Sequence, residues 1–140
     1  RSSPPSTASS VAQFPRSTEA SHSSCPALAG DLATLHTNLT TILTRLHAAD
    51  PGGTIIVLTP YNPFGKAYPS SNAFAVQLDL TIAATALSNH ARIADAFIPF
   101  NVAPKPGLCQ LSYYCTNDDI HPTDRGYQVI ANRFFLSWLI

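Results

Sequence analysis

Residues 54–59 read Thr-Ile-Ile-Val-Leu-Thr, an apolar, β-branched run set between Gly52-Gly53 and Pro60. Such a run without polar alternation predicts a strand buried on both faces, the pattern of a parallel sheet. On its N-terminal side, residues 31–48 place Leu32, Leu35, Leu39, Ile42, Leu43 and Leu46 three and four apart, one face of an amphipathic helix. Asp31 is the expected N-cap with Gly30 as a breaker before it, and Asp50-Pro51-Gly52-Gly53 ends the helix in a turn. Helix, turn and buried strand make half of a βαβ unit. On the C-terminal side, Pro60, Asn62, Pro63, Gly65 and Pro69 define an irregular loop. Ser71 or Asn72 is expected to cap a second helix over 72–90, with Phe74, Leu78, Ile82 and Leu87 facing the core. Ile93 to Ile98 reads as a second buried strand, and 101–122 as a long loop holding Cys109 and Cys115. Thr123 or Asp124 opens a last helix whose apolar stripe is Tyr127, Ile130, Ala131, Phe134, Phe135 and Trp138. No internal repeat is visible, and the order of elements predicts an α/β fold with a parallel sheet.

At 140 residues the chain is one domain or less. Residues 1–30 hold nine serines and four prolines with no apolar periodicity. That composition buries too little apolar surface to offset the chain entropy of ordering, roughly 1–2 kcal/mol per residue. Residues 1–26 are therefore expected to be a tail, linker or long surface loop, leaving 27–140 as the ordered part. Charged residues make up 11% of the chain and sum to zero net charge, which excludes the basic stripe of a nucleic-acid binder and a polybasic membrane-surface protein. No apolar run approaches the ~18 residues that span a bilayer. The chain opens on Arg1 with no charged segment leading into an apolar one, so no signal peptide is expected within it; one already removed fits that start equally.

The sharpest chemical signal is Asp118-Asp119-Ile120-His121-Pro122-Thr123, followed by Gly126-Tyr127. A carboxylate beside a loop histidine accepts the Nδ1 proton, fixes the tautomer and stabilises the imidazolium. The free Nε2 is then a general base for a serine hydroxyl. Asp118, three residues before His121, can fold back over one turn to reach it. The competing reading of the same residues is a solvated acidic loop with a capping threonine.

The block Asp118-x-x-His121-Pro122-x-x-x-Gly126-Tyr127 resembles the last motif of the SGNH/GDSL hydrolases. The stretch from Leu39 through Ile56-Val57-Leu58-Thr59-Pro60-Tyr61-Asn62-Pro63-Phe64 to Ala94-Asp95-Ala96 is similar to secreted bacterial lipase-like members, so the resemblance covers about 25–140. It implies a three-layer, flavodoxin-like α/β/α fold with a five-stranded parallel sheet, of which only the last two strands are evident here. It implies hydrolysis of carboxylic esters or lipids by a Ser-His-Asp mechanism without a metal or organic cofactor. By matching position, His121 is the base and Asp118 its orienting acid, with Asp119 the fallback acid.

The chain departs from the family pattern at the nucleophile. No Gly-Asp-Ser block is present; Gly30-Asp31-Leu32 is the only Gly-Asp pair, and its neighbours are helical. No Gly-x-Asn-Asp block supplies oxyanion donors, and Asn62 reads as a loop turn residue. The expectation is that 27–140 is the C-terminal part of such a hydrolase domain. The open edge of strand 54–59 would then be covered by a second chain or fragment carrying the N-terminal half, and the chain alone is expected not to hydrolyse p-nitrophenyl esters. Among residues of the tail, Ser23 and Ser24 lie nearest the ordered part. The alternative is a catalytically inactive module of the same fold that binds a ligand or surface, or completes a partner.

Cys109 and Cys115 enclose five residues beside the His121 block, and a bridge there would brace it. Disulfide use fits a secreted or extracytoplasmic protein, with Cys25 left unmatched. Zinc is not expected: there is no Cys-x-x-Cys pair and no His-Glu-x-x-His. His36 and His47 share a helix face about 16 Å apart and read as solvent-facing. Tyr61, Phe64, Tyr68, Tyr113 and Tyr114 fall in loops after strands, where they either line an acyl pocket or cover the core edge.

Overall fold

The computed structural model describes residues 26–140, so the Ser/Pro-rich segment, with Ser23, Ser24 and Cys25, lies outside the described residues. Strand β1 (Ile56–Thr59) forms from the 54–59 run and pairs in parallel with β2 (Arg92–Asp95), Ile56 opposite Arg92 and Thr59 opposite Asp95. The expected burial of β1 on both faces is not met. Leu58 is 37% exposed, and Ile56 and Val57 are half-buried. The physical reason is the neighbour count: among the described residues the sheet has two strands, so one edge of β1 has no partner.

Helix α1 (Pro26–Ala49) starts earlier than Asp31 and runs through Gly30. Proline at the first helical position needs no amide hydrogen bond, so Pro26 supplies a start signal ahead of the expected cap. Gly30 has open space around it, and its carbonyl accepts from Thr34 Oγ1 one turn on. Helix α2 (Ser71–Ser88) buries Ile82, Thr85 and Ala86, whereas Leu87 is 63% exposed. Leu43, Ala86 and Ala91 form one buried cluster, joined by Leu39, Val57 and Ile93. His36 and His47 do not simply face solvent. His36 Nδ1 meets Thr85 Oγ1 at 2.8 Å and His47 Nε2 donates to the Asn89 carbonyl at 2.9 Å, so the two rings tie α1 to α2 and to the turn after it.

The second strand ends halfway through the expected Ile93–Ile98 run because the chain turns. The Asp95 carboxylate accepts from the Ile98 amide at 3.1 Å, and residues Ile98–Val102 form a π-helical turn that buries Pro99 and Phe100. Phe100, Ala96 and Leu111 form a second buried cluster with Tyr61, Leu108, Val129 and Ile130 against it. Two short helices, α3 (Leu108–Leu111) and α4 (Tyr114–Asn117), break up the expected 101–122 loop. Helix α5 (Asp124–Leu139) begins as read, with the Thr123 hydroxyl accepting from Gly126 N at 3.2 Å. Its inward line meets the expected apolar stripe only in part, through Ile130 against that second cluster. Tyr127, Phe135 and Trp138 are more than half exposed, while Gly126 and Ser137 are buried and the Ser137 hydroxyl donates to the Ile93 carbonyl of β2. The Arg92 guanidinium caps the other end of that contact, donating to the Ser137 and Trp138 carbonyls at 3.1 and 2.7 Å.

Candidate active site

Both loops that follow the strands meet at one end of the sheet. Asn62 is the buried hub between them. Its amide donates to Asn101 Oδ1 at 2.8 Å, its carbonyl accepts from Asn101 Nδ2 at 2.7 Å, and its side-chain nitrogen reaches Ser71 Oγ and Asn72 Oδ1. An asparagine suits this place because its oxygen also accepts from the Phe64 amide two residues on, a local turn of its own making. Tyr61 stacks on Phe100 with ring centroids 4.1 Å apart, and its hydroxyl donates to the Ile120 carbonyl.

His121 stands on a segment pinned at several points. Its carbonyl accepts from Tyr113 N at 3.0 Å, Ser112 and Pro122 bridge in antiparallel sense, and Thr123 N and Oγ1 donate to the Leu111 and Gln110 carbonyls. A disulfide joins Cys109 to Cys115 across the two short helices on the facing side. Gly126 is required here: a Cβ on it would fall onto the Leu111 carbonyl oxygen.

The ring of His121 turns its Nδ1 to Asp119 Oδ1 at 2.5 Å, and the same oxygen accepts from the His121 amide at 2.9 Å. Asp118, the acid that the three-residue spacing selects, makes no side-chain hydrogen bond among the described residues. It ends α4 in the left-handed region (φ 53°) with its amide donating to the Tyr114 carbonyl. The two-residue spacing prevails because a carboxylate reaches the amide two residues ahead without any helical turn, and the ring follows the amide. Those two hydrogen bonds, the backbone one first, hold the Asp119 carboxyl below the usual carboxylate range. With Nδ1 donating to Asp119, Nε2 carries the lone pair, and the side chain is 70% exposed and so reachable by a partner hydroxyl.

Sequence reasoning left open whether Tyr61 lines a pocket or covers the core edge; it covers the core edge against Phe100, and its hydroxyl also holds the backbone next to His121. Burial, and then the neighbouring Tyr127 phenol and Asp119 carboxylate, push the Tyr61 phenol up to about 12 from its ordinary 10. The folded state thus keeps this proton more tightly than the unfolded chain does. Its contribution to stability is intact below pH 10 and is lost as pH rises through about 12. In an alkaline absorbance titration of the five tyrosines, the last to ionise is expected to be Tyr61. That final step should be missing from Tyr61→Phe, and its persistence there would refute the assignment.

Among the described residues, no group of three His, Cys, Asp or Glu side chains lies close enough to hold a metal ion. No described helix is long and apolar enough to cross a membrane.

A histidine hydrogen-bonded to an aspartate, on a loop that leads into the last helix of an α/β chain, has the form of the base-and-acid pair of a Ser-His-Asp arrangement. The family model of the GDSL-like lipase/acylhydrolases matches residues 7–129, which include Asp119 and His121, and the chain belongs to that family. Comparison with curated proteins and with solved structures gave no match.

Proposed function

We propose that this chain supplies the base and its orienting acid to a carboxylic ester hydrolase. His121 Nε2 takes the proton from a serine hydroxyl as that oxygen attacks the ester carbonyl, and then returns it to the leaving alkoxide. Asp119 holds the tautomer and stabilises the imidazolium in between. The observation that carries this reading is the Asp119–Nδ1 contact on an exposed imidazole whose Nε2 has no partner among the described residues, in a chain of an acylhydrolase family. Asp119 takes the role that the motif position assigns to Asp118.

The proposal places the nucleophile outside residues 26–140. In support, no Gly-Asp-Ser stands in the sequence, and β1 has one edge without a partner among the described residues, where further strands of a larger three-layer sheet add. An extracytoplasmic location is part of the proposal and is supported by the Cys109–Cys115 disulfide. The missing Gly-Asp-Ser also favours a second reading, a ligand-binding module that keeps the fold without the chemistry.

Fluorophosphonate labelling separates the two, run on the full product of the coding region that holds these residues. The hydrolase reading expects one covalent adduct, on a serine outside 26–140, together with turnover of p-nitrophenyl acetate. No adduct and no turnover would leave the binding module, and an adduct within 26–140 would refute the placement of the nucleophile.

A further inference from the structure

The chain has only two lysines, Lys66 and Lys105, and both line the same open cavity of about 440 Å³. It lies between the loop after β1 and the loop after β2. Its lining contains no carboxylate, and neither lysine forms an ion pair among the described residues. Lys66 Nζ donates to Cys109 Sγ at 3.5 Å, a weak neutral acceptor that leaves its remaining protons free. The lining amides of Asn72 and Asn101 are spent on Asn62 and hold the loops in place. The side chain of Gln110 has no partner among the described residues and faces the same space. The apolar part of the lining is aliphatic, from Ala103, Pro104, Pro106 and Leu108. In a chain of zero net charge, two unpaired ammonium groups brought from 39 residues apart to one concavity are a local excess of positive charge.

We propose that this cavity binds the anionic group, carboxylate or phosphate, of a ligand that also carries an apolar part. The class follows from the lining: two cations and an amide for the charge, small apolar side chains for the remainder. Gln110 also connects the cavity to the His121 segment, since its carbonyl accepts from Thr123 Oγ1 at 3.1 Å. Resting on the hydrolase reading, the ligand is an ester whose acyl or alcohol part bears the acid.

Binding is measured on the whole 140-residue chain, by calorimetry or amide chemical shifts, with phenyl phosphate, benzoate and neutral benzyl alcohol as probes. At least one anion is expected to bind, and the stronger of the two tells phosphate from carboxylate. Lys66→Gln with Lys105→Gln is expected to weaken it roughly tenfold or more, and the paired arginine variant to retain it. Added salt is expected to weaken it as well. A thermal melt of the glutamine variant checks that the fold persists; should it unfold, Lys105→Gln alone, on the exposed rim, is read in its place. Equal affinity for benzyl alcohol and benzoate, no anion bound, or no loss in the glutamine variants would each overturn the proposal. Binding is repeated in His121→Ala, where it should persist. Lysine-dependent binding without ester turnover by the full product of the coding region would end the hydrolase reading and keep this one, whereas turnover by that product indifferent to substrate charge would do the reverse.

Discussion

Alanine at His121, in the full product of the coding region, is expected to lower kcat for ester hydrolysis by about a thousandfold or more, with KM little changed. The imidazole is the one group in the described loop able both to accept a proton near neutral pH and to present it to a leaving alkoxide. Its removal strips an interaction formed chiefly in the transition state, hence the effect in kcat. The acids beside it give the prediction its discrimination. Asp119→Asn keeps the shape but loses the charge and allows the wrong tautomer, so a fall of roughly a hundredfold or more is expected. Asp118→Asn leaves the contact to Nδ1 untouched and is expected to stay within about twofold, as for an exposed residue away from the chemistry. Unchanged turnover in His121→Ala removes the assignment. A larger loss at Asp118 than at Asp119 returns the orienting role to the residue that the motif spacing picks.

Phe100→Ala is expected to destabilise the chain by about 3–5 kcal/mol, read from a urea or thermal melt. Phe100 is the largest fully buried side chain described, and it joins the π-helical turn after β2 to Tyr61 and to Leu111 of α3. Its loss leaves a cavity under the two loops that carry the site, so the melt and the Tyr61 titration should shift together. Phe100→Leu fills most of that volume and is expected to cost less, about 1.5 kcal/mol. A melt within about 0.5 kcal/mol of the parent for the alanine variant would mean that the cluster closes over the gap, and that Phe100 does not brace the loops.

Where the sequence could be read, one local signal dominated. The β-branched run 54–59 gave its strand, and the spacing of Leu39 and Leu43 gave α1 its inner face, although Ile42 and Leu46 of the same stripe stay about half exposed. Elsewhere two signals competed. Ile93–Ile98 is apolar but for Asp95, and no periodicity shows that this carboxylate captures the Ile98 amide and ends the strand. Helix α2 is apolar around much of its circumference, so that Ala86 rather than Leu87 turns inward cannot be told from spacing. In α5 a serine makes the inward contact because β2 offers a carbonyl there, a tertiary fact that hydrophobicity does not encode. The Asp119–His121 pairing was visible as an aspartate two residues before a histidine, and the three-residue motif position drew attention past it. Tyr61 carries no local mark of its role, since its acceptor lies 59 residues away.

Gly126 touches neither Asp119 nor His121, yet the start of α5 can sit against α3 only while that position lacks a side chain. The imidazole therefore inherits its place from a missing methyl group five residues downstream. A survey of single replacements that scores only activity will record position 126 as indispensable and tempt the reader to grant it a chemical part. What it holds is distance, keeping two backbones close enough for the loop between them to have a single shape.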